Sequence, residues 1–284
     1  MITVRRAVYD DIPGIMQFID KHWKKGHILA RDRSFFDWQY VDEKGVNVYI
    51  GIDDKEKIIY GMIGFIKYNQ GNNPDISGGL WKTIKSPNPL LGMDISDFMM
   101  RDLNVRFSCS AGMSSKAKKV YQLQGMIPVS MNHYYRLGAH DEYKIAKVQD
   151  LTIPEVQDWG YRLNKINDLE EMKLLISDNT LFKNMLSKDY EYLRKRYFEH
   201  PIYKYEIWGI THPREKADSV LITREEQLNN KKCCKIIDFY GDVEKLGKIA
   251  FALDLLIAER GYEFVDVYSY GIPAEVYEKG GFCE

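Results

Sequence analysis

Apolar residues first recur at helical spacing at Ile12, Ile15, Met16, Ile19 and Trp23, which predicts a helix with one inward stripe. Asp10 or Asp11 can cap it, with Pro13 in its first turn. A strand, ITVRRA, precedes it, and the loop KKGHILARDR leads to a short second helix, SFFDWQY. The pattern then changes to strand character. VNVYIGI and IIYGMIGFIKY, joined by the charged turn DDKEK, predict a hairpin. NQGNNPD is a turn, and ISGGLWKTI reads as a strand broken by SPNPLLG. The helix MDISDFMMRD, the strand VRFSCS, the helix SSKAKKVYQLQG and a last strand, MIPVSMNHYYRL, complete the first half.

The order then repeats. Helices DLEEMKLLISD and SKDYEYLRKRYFEHP precede strands YKYEIWGI, ADSVLITRE and CKIIDFYG, then the helix VEKLGKIAFALDLLIAERG, the strand EFVDVYS and the helix PAEVYEKGG. Landmarks match in sequence: Tyr40 with Tyr197, YIGI with IWGI, Gly92 with Gly247, Tyr121 with Tyr277, and Gly125 with Gly281. A colinear series at a nearly constant offset predicts a duplicated domain. The expected units are residues 1–137 and 151–284, joined by a linker over 138–150, GAHDEYKIAKVQD. Each reads as a mixed, twisted sheet flanked by helices, an α/β (α+β) architecture. The last strand of the first half has no counterpart after Gly281, so the second sheet is expected to lack an edge.

Composition narrows the function classes. With 45% hydrophobic and 29% charged residues, the chain reads as an ordinary soluble protein. A formal net charge of −1 gives no reason to expect nucleic acid or an anionic membrane as partner. No apolar run approaches the roughly 20 residues of a membrane span, and the N-terminus lacks a signal-peptide core, so the expected location is the cytoplasm. Cys109, Cys233, Cys234 and Cys283 form no C-x-x-C pair and read as reduced, buried thiols, with Cys233 and Cys234 on opposite faces of a strand. His22 and His27 are five apart and share no helical face, so no metal site is expected.

The order strand, glycine-containing turn, helix, strand, and helix ending Ala-x-x-x-Tyr-x-x-x-Gly resembles the GNAT superfamily of acyl-CoA-dependent acyltransferases. In the first half the resemblance rests on LLGMD and KAKKVYQLQGM, with Ala117, Tyr121 and Gly125 matching and Met126 in place of the usual Phe. In the second half Tyr277, Gly281 and Phe282 match, while Pro273 stands where Ala is usual. The resemblance implies acetyl-CoA or another acyl-CoA as co-substrate, its pyrophosphate held by backbone amides of the glycine turn at a helix N-terminus. Both turns keep only the middle glycine, and Asp94 places a carboxylate near the expected phosphates. The first half is the favoured site, with Ser86 and Asn88 as added donors and Leu91, Gly92 and Met93 in the turn. Lys116 and Lys119 either meet a nucleotide phosphate or form a solvated helix face. In the second half Glu244 sits where the anion would bind, which suits support or acceptor binding.

The implied reaction attacks a thioester with a primary amine. A strand amide near Thr83 or Ile84 would polarise the carbonyl, and Tyr121 would protonate the departing thiolate or, alternatively, serve as a core tyrosine. His22, His27 and Asp32 are candidates for the base. Trp23 and Trp38 beside Arg31 and Asp32 suit a sugar or nucleotide acceptor, such as a nucleotide-linked amino sugar of surface-polysaccharide assembly, by fold analogy. Two alternatives stand beside this N-acyltransferase. One is a non-catalytic binding protein, suggested by the degenerate turns. The other is an aminoacyltransferase of the Fem type, disfavoured by the near-neutral charge and the absence of a helical-hairpin insertion.

Overall fold

Residues 1–176 and 186–284 are described by a computed structural model, without the side chains of Lys116 and Lys216. The first of two units comprises Met1–Pro128 with Leu186–Lys188, and the second comprises the other described residues. The first runs β1 (Ile2–Arg6), α1 (Ile12–His22), α2 (Ile28–Arg31), α3 (Arg33–Tyr40) and the small pair β2 (Val41–Asp42) and β3 (Gly45–Val46). It continues with β4 (Val48–Asp53), β5 (Ile58–Lys67), β6 (Asp75–Thr83), α4 (Leu91–Asp102), β7 (Phe107–Cys109) and α5 (Ser115–Leu123).

Alternation decides which helix covers which face of the sheet β1-β4-β5-β6-β7. Along β4, Val48, Ile50 and Ile52 pack with Ile12, Ile15, Ile19 and Phe36 of α1 and α3. Tyr49, between them in sequence, joins Leu91, Ile95 and Met99 of α4 on the other face. All strand pairs in this sheet are antiparallel except β6 with β7.

The second unit runs β8 (Asn132–Leu137), β9 (Arg162–Ile166), α6 (Leu169–Leu175), α7 (Tyr190–Leu193), a π-helical turn (Arg194–Phe198), β10 (Glu206–His212), β11 (Glu215–Leu228) and β12 (Lys231–Tyr240). It ends with α8 (Val243–Lys248), α9 (Ala250–Arg260), β13 (Tyr262–Ser269) and α10 (Ala274–Lys279). The last two residues of the helix expected over 168–178 lie outside the described residues. The single helix expected over 243–261 is broken at Ile249, which is fully buried between α8 and α9.

The strand expected to close the first sheet closes the second instead. β8 pairs antiparallel with β13, from Asn132 opposite Ser269 to Leu137 opposite Phe264, giving the order β8-β13-β12-β11-β10-β9. The expectation that the second sheet lacks an edge is thereby overturned, and the first sheet ends at β7. The cause lies in β8's side chains. Arg136, 2% exposed, donates from Nε and Nη2 to Asp254 at 2.6 Å each, and from Nη1 to the Gly281 carbonyl at 2.8 Å. Tyr134 stacks on Tyr277 with ring centres 4.1 Å apart. Tyr135 and Cys283 exchange backbone hydrogen bonds at 2.8 Å. All these partners belong to α9, α10 or the chain after α10.

Nor is 138–150 a free linker. The buried Glu263 carboxylate accepts from the amides of Lys144, Ile145 and Ala146 at 2.7, 2.7 and 3.0 Å. Burial, the largest single effect, acts to raise its pKa, but those three bonds, with Lys231, together outweigh it and leave the pKa lowered. Cys233 and Cys234 lie on β12 as expected and are buried, and burial pushes the Cys234 thiol up to about 12. Cys109 and Cys283 are only partly buried. No helix among the described residues is long and apolar enough to cross a membrane.

Candidate active site

Two glycines set the geometry of β6. Ile63 pairs with Trp81 and Phe65 with Gly78, so Gly64 alone faces Gly79 and Leu80, which is a β-bulge. The Tyr40 ring fills the space that side chains would otherwise occupy. A methyl on Gly64 would lie 2.7 Å from Tyr40 Cζ, and one on Gly79 would lie 2.6 Å from its hydroxyl. That hydroxyl faces the backbone of Leu80 and the side chain of Gln39, and burial raises its pKa above the ordinary tyrosine value. The doublet Gly78-Gly79 inside a strand was the signal in the sequence that could have located this bulge.

Beyond the bulge β6 has one free edge. β7 pairs only from Asp75 opposite Phe107 to Ser77 opposite Cys109, and the Ser110 hydroxyl then donates to the Gly78 carbonyl at 3.2 Å. From Gly79 to Thr83 no strand among the described residues runs along the outer side of β6. Ile84 donates its amide to the Tyr60 carbonyl at 2.9 Å, so it is not available as the expected oxyanion donor. By the alternation of an antiparallel ladder, Lys82 also faces β5, while the amides of Trp81 and Thr83 turn outward. Thr83 therefore presents an outward amide where Ile84 does not.

Tyr121 and the start of α4 border this edge. The Tyr121 ring lies 5.0 Å from that of Trp81, and its hydroxyl is 3.5 Å from where a methyl on Gly78 would stand. It has no hydrogen-bond partner among the described residues. A methyl on Gly92 would meet Thr83 Cγ2 and Trp81 Nε1, both at 3.4 Å, so Gly92 brings α4 against the same stretch of β6.

The turn before α4 uses most of its own donors. Leu90 donates to Asn88 Oδ1 at 2.9 Å, Leu91 to the Asn88 carbonyl at 3.3 Å, and Met93 to the Leu90 carbonyl at 2.8 Å. Asn88 Nδ2 donates to Asp94 at 2.6 Å, and Ser86 Oγ to the Asn88 carbonyl at 2.7 Å. The side chains of Asn88 and Ser86 are thus not the free phosphate donors expected of them, and of the amides from Leu90 to Asp94 that of Gly92 has no acceptor among the described residues. The side chain of Lys116 lies outside the described residues.

The expected acceptor residues lie on the face of the sheet opposite α4. His27 caps α2, its Nδ1 accepting from Leu29 at 3.2 Å, and Asp32 caps α3, accepting from Phe35 at 2.9 Å. Burial and then Lys24 lower the His27 pKa. Trp38 packs on Phe35 with ring centres 5.4 Å apart, and His22 on Phe18 at 5.0 Å. Trp23 and Arg31 are exposed. The aromatic content of this stretch that suggested a ligand is therefore largely core and helix capping. Among the described residues no three His, Cys, Asp or Glu side chains gather as a metal would require.

The equivalent place in the second unit is closed. A methyl on Gly247 would lie 2.7 Å from the Val276 carbonyl, so α10 rests directly on α8. Beside it Lys245, 6% exposed, donates to Asp218 at 2.6 Å. Tyr277 is buried, stacked on Tyr134 and edge-on to Phe282. Among the described residues its hydroxyl has no partner in hydrogen-bond geometry; burial, the larger effect, raises its pKa, and Ser269 approaches closely enough to lower it slightly.

The repeated Tyr-x-x-x-Gly has a cause shared by both helices. Met126 donates to the Tyr121 carbonyl and Gly125 to that of Gln122; Phe282 donates to Tyr277 and Gly281 to Glu278. Gly125 and Gly281 both have positive φ. This is the double-bonded helix stop that glycine permits, so the spacing marks a helix end and the surroundings of each tyrosine decide its use.

No protein-family model matches the sequence, and no curated protein matches it. Solved structures do. A probable N-acyltransferase of Enterococcus faecalis, a conserved protein of unknown function, superposes with TM-score 0.66 at 11% identity, covering 100% of this chain and 69% of its own. A GCN5-related N-acetyltransferase of Anabaena variabilis gives 0.60 at 10% identity, over 96% and 67%. The chain has the GCN5-related N-acetyltransferase fold. Saccharomyces cerevisiae N-myristoyltransferase, solved with bound myristoyl-CoA and inhibitors, shares it at TM-score 0.51 and 10% identity, over 99% of this chain and 77% of its own. In this GCN5-related fold the two sheets, each flanked by helices, are the two units seen here.

Proposed function

We propose that this protein is an acyl-CoA-dependent N-acyltransferase whose first unit binds the acyl-CoA along the outer edge of β6. One observation carries the reading: among the described residues that edge is unpaired from Gly79 to Thr83, and the Tyr121 hydroxyl stands beside it without a hydrogen-bond partner. The outward amides of Trp81 and Thr83 can donate to an acyl carbonyl oxygen as negative charge develops on it. Tyr121 can give its proton to the leaving thiolate. The Gly92 amide at the start of α4 suits a phosphate. The acceptor is proposed as a primary amine; an amino sugar rests on analogy alone, because His27 and Asp32 are engaged as helix caps.

Calorimetry with acetyl-CoA tests the reading. The wild type should bind saturably, and Gly92→Asp, which puts a second carboxylate beside Asp94 and crowds Trp81, should lose affinity by about tenfold or more with its melting temperature kept. Unchanged binding by the variant would remove acyl-CoA from this edge. The self-satisfied turn at Asn88 and Asp94 favours a second reading, a binding protein without catalysis. It would be supported by acetyl-CoA binding with no acyl transfer to any primary amine tried.

A further inference from the structure

On the face of the second sheet opposite α8 and Tyr277, two guanidinium groups crowd the same tyrosine ring. The Arg196 guanidinium carbon, from the π-helical turn, lies 5.7 Å from the centre of Tyr205. That of Arg224, from β11, lies 5.9 Å from the same ring and 4.2 Å from Tyr203. The rings of Tyr203 and Tyr205 are in turn 4.9 and 5.7 Å from His200. Each cation is attracted to the rings, but the two repel one another and require counter-charge.

Only part of that counter-charge is present. Arg224 pairs with Glu226 at 2.6 Å. The acids flanking Arg196 in sequence, Glu191 and Glu199, both bind Arg194, which leaves Arg196 without a carboxylate among the described residues. His200 registers the remaining field. Burial first, then Arg196 and Arg224, bring its pKa down to about 4. Its Nδ1 accepts from the amides of Ile202 and Tyr203 at 3.1 Å, which places the ring proton on Nε2. In the same cluster the Tyr205 hydroxyl and Arg224 Nε are buried with no hydrogen-bond partner among the described residues. Buried donors are nearly always satisfied in native proteins, so these two point to an absent acceptor.

We propose that Arg196, Arg224 and Tyr205 form a binding site for the oxyanion of a small molecule, a carboxylate or phosphate, with the half-exposed Tyr203 ring flanking its apolar body. An oxyanion accepts from a guanidinium fork and a hydroxyl together, and it supplies the charge that Arg196 lacks. This site is separate from the β6 edge, so it stands or falls independently of acyl transfer.

The test is an NMR titration of His200 with benzoate, phenyl phosphate and inorganic phosphate, against sodium chloride at equal ionic strength. At least one oxyanion should raise the His200 pKa saturably, because a bound anion favours the imidazolium; whichever binds more tightly identifies the source. Arg196→Gln should begin with a higher His200 pKa, having lost a positive neighbour, and should lose about tenfold or more of the oxyanion affinity. If that variant fails to fold, Arg196→Lys, which keeps the charge without the planar fork, should fold and bind more weakly. Equal shifts with chloride, or undiminished binding in Arg196→Gln or Arg196→Lys, would overturn the site and leave the guanidiniums as packing groups.

Discussion

Tyr121→Phe is expected to lower kcat for acyl transfer by about 10²–10⁴ while leaving acyl-CoA affinity nearly unchanged. The hydroxyl makes no hydrogen bond among the described residues, so its removal opens no buried polar gap and should not shift the melting temperature. The ring contact with Trp81 is kept. A loss in kcat with fold and affinity intact therefore isolates proton delivery to the thiolate. Tyr277→Phe should behave differently, because its hydroxyl is buried without a hydrogen bond. Removing an unsatisfied buried group is neutral or slightly stabilising, so turnover should be kept and the melting temperature unchanged or raised. Turnover of both variants with one acyl-CoA and one amine decides the matter. Full activity in Tyr121→Phe removes the proposed acid, and an inactive Tyr277→Phe moves the chemistry to the second unit.

Arg136→Ala should produce the largest loss of stability. The change strips Asp254 of a bidentate partner and the Gly281 and Pro154 carbonyls of their donors. Breaking a buried ion pair from one side costs about 3–5 kcal/mol. Asp254, one-third exposed, recovers some hydration, which places the cost near the lower end, about 3 kcal/mol. Arg136→Lys keeps the charge but not the planar fork, and should fall between the two. Urea unfolding gives the magnitude and hydrogen exchange gives the place. Protection should fall first along Phe264–Ser269 and at Cys283, the backbone partners of β8. Loss of protection in β6 and β7 instead would mean that β8 serves the first sheet.

Much of the architecture was legible because it depends on local periodicity. The apolar spacing from Ile12 to Ile19, the alternation in VYIGI, and the turn before Leu91 each encode an element whose inward face is determined by residues two to four apart. The repeated landmarks carried the duplication for the same reason. The helix stops at Gly125 and Gly281 are local as well, since a positive φ and two backbone bonds need nothing outside the helix end. From these came the element order; the choice of Tyr121 and the Gly92 turn came from the resemblance to the GNAT superfamily that this order carries.

Tertiary structure decided what depends on partners distant in sequence. β8 reads as the end of the first half, yet its sheet is chosen by Arg136 and Tyr134, whose partners Asp254 and Tyr277 are more than a hundred residues away. His27 and Asp32 present the same donors and acceptors in sequence whether they bind a ligand or cap a helix, and only the folded backbone uses them as caps. Thr83 and Ile84 are adjacent and both suit a strand, but the pairing of Ile84 with Tyr60 spends one amide and turns the other outward. The bulge at Gly79 needs Tyr40, brought from α3 beneath β6, and the oxyanion cluster needs Arg196 and Arg224 drawn to one ring. A sequence states which groups are available; the free energy of burying and pairing them across the fold settles which remain free to bind and react.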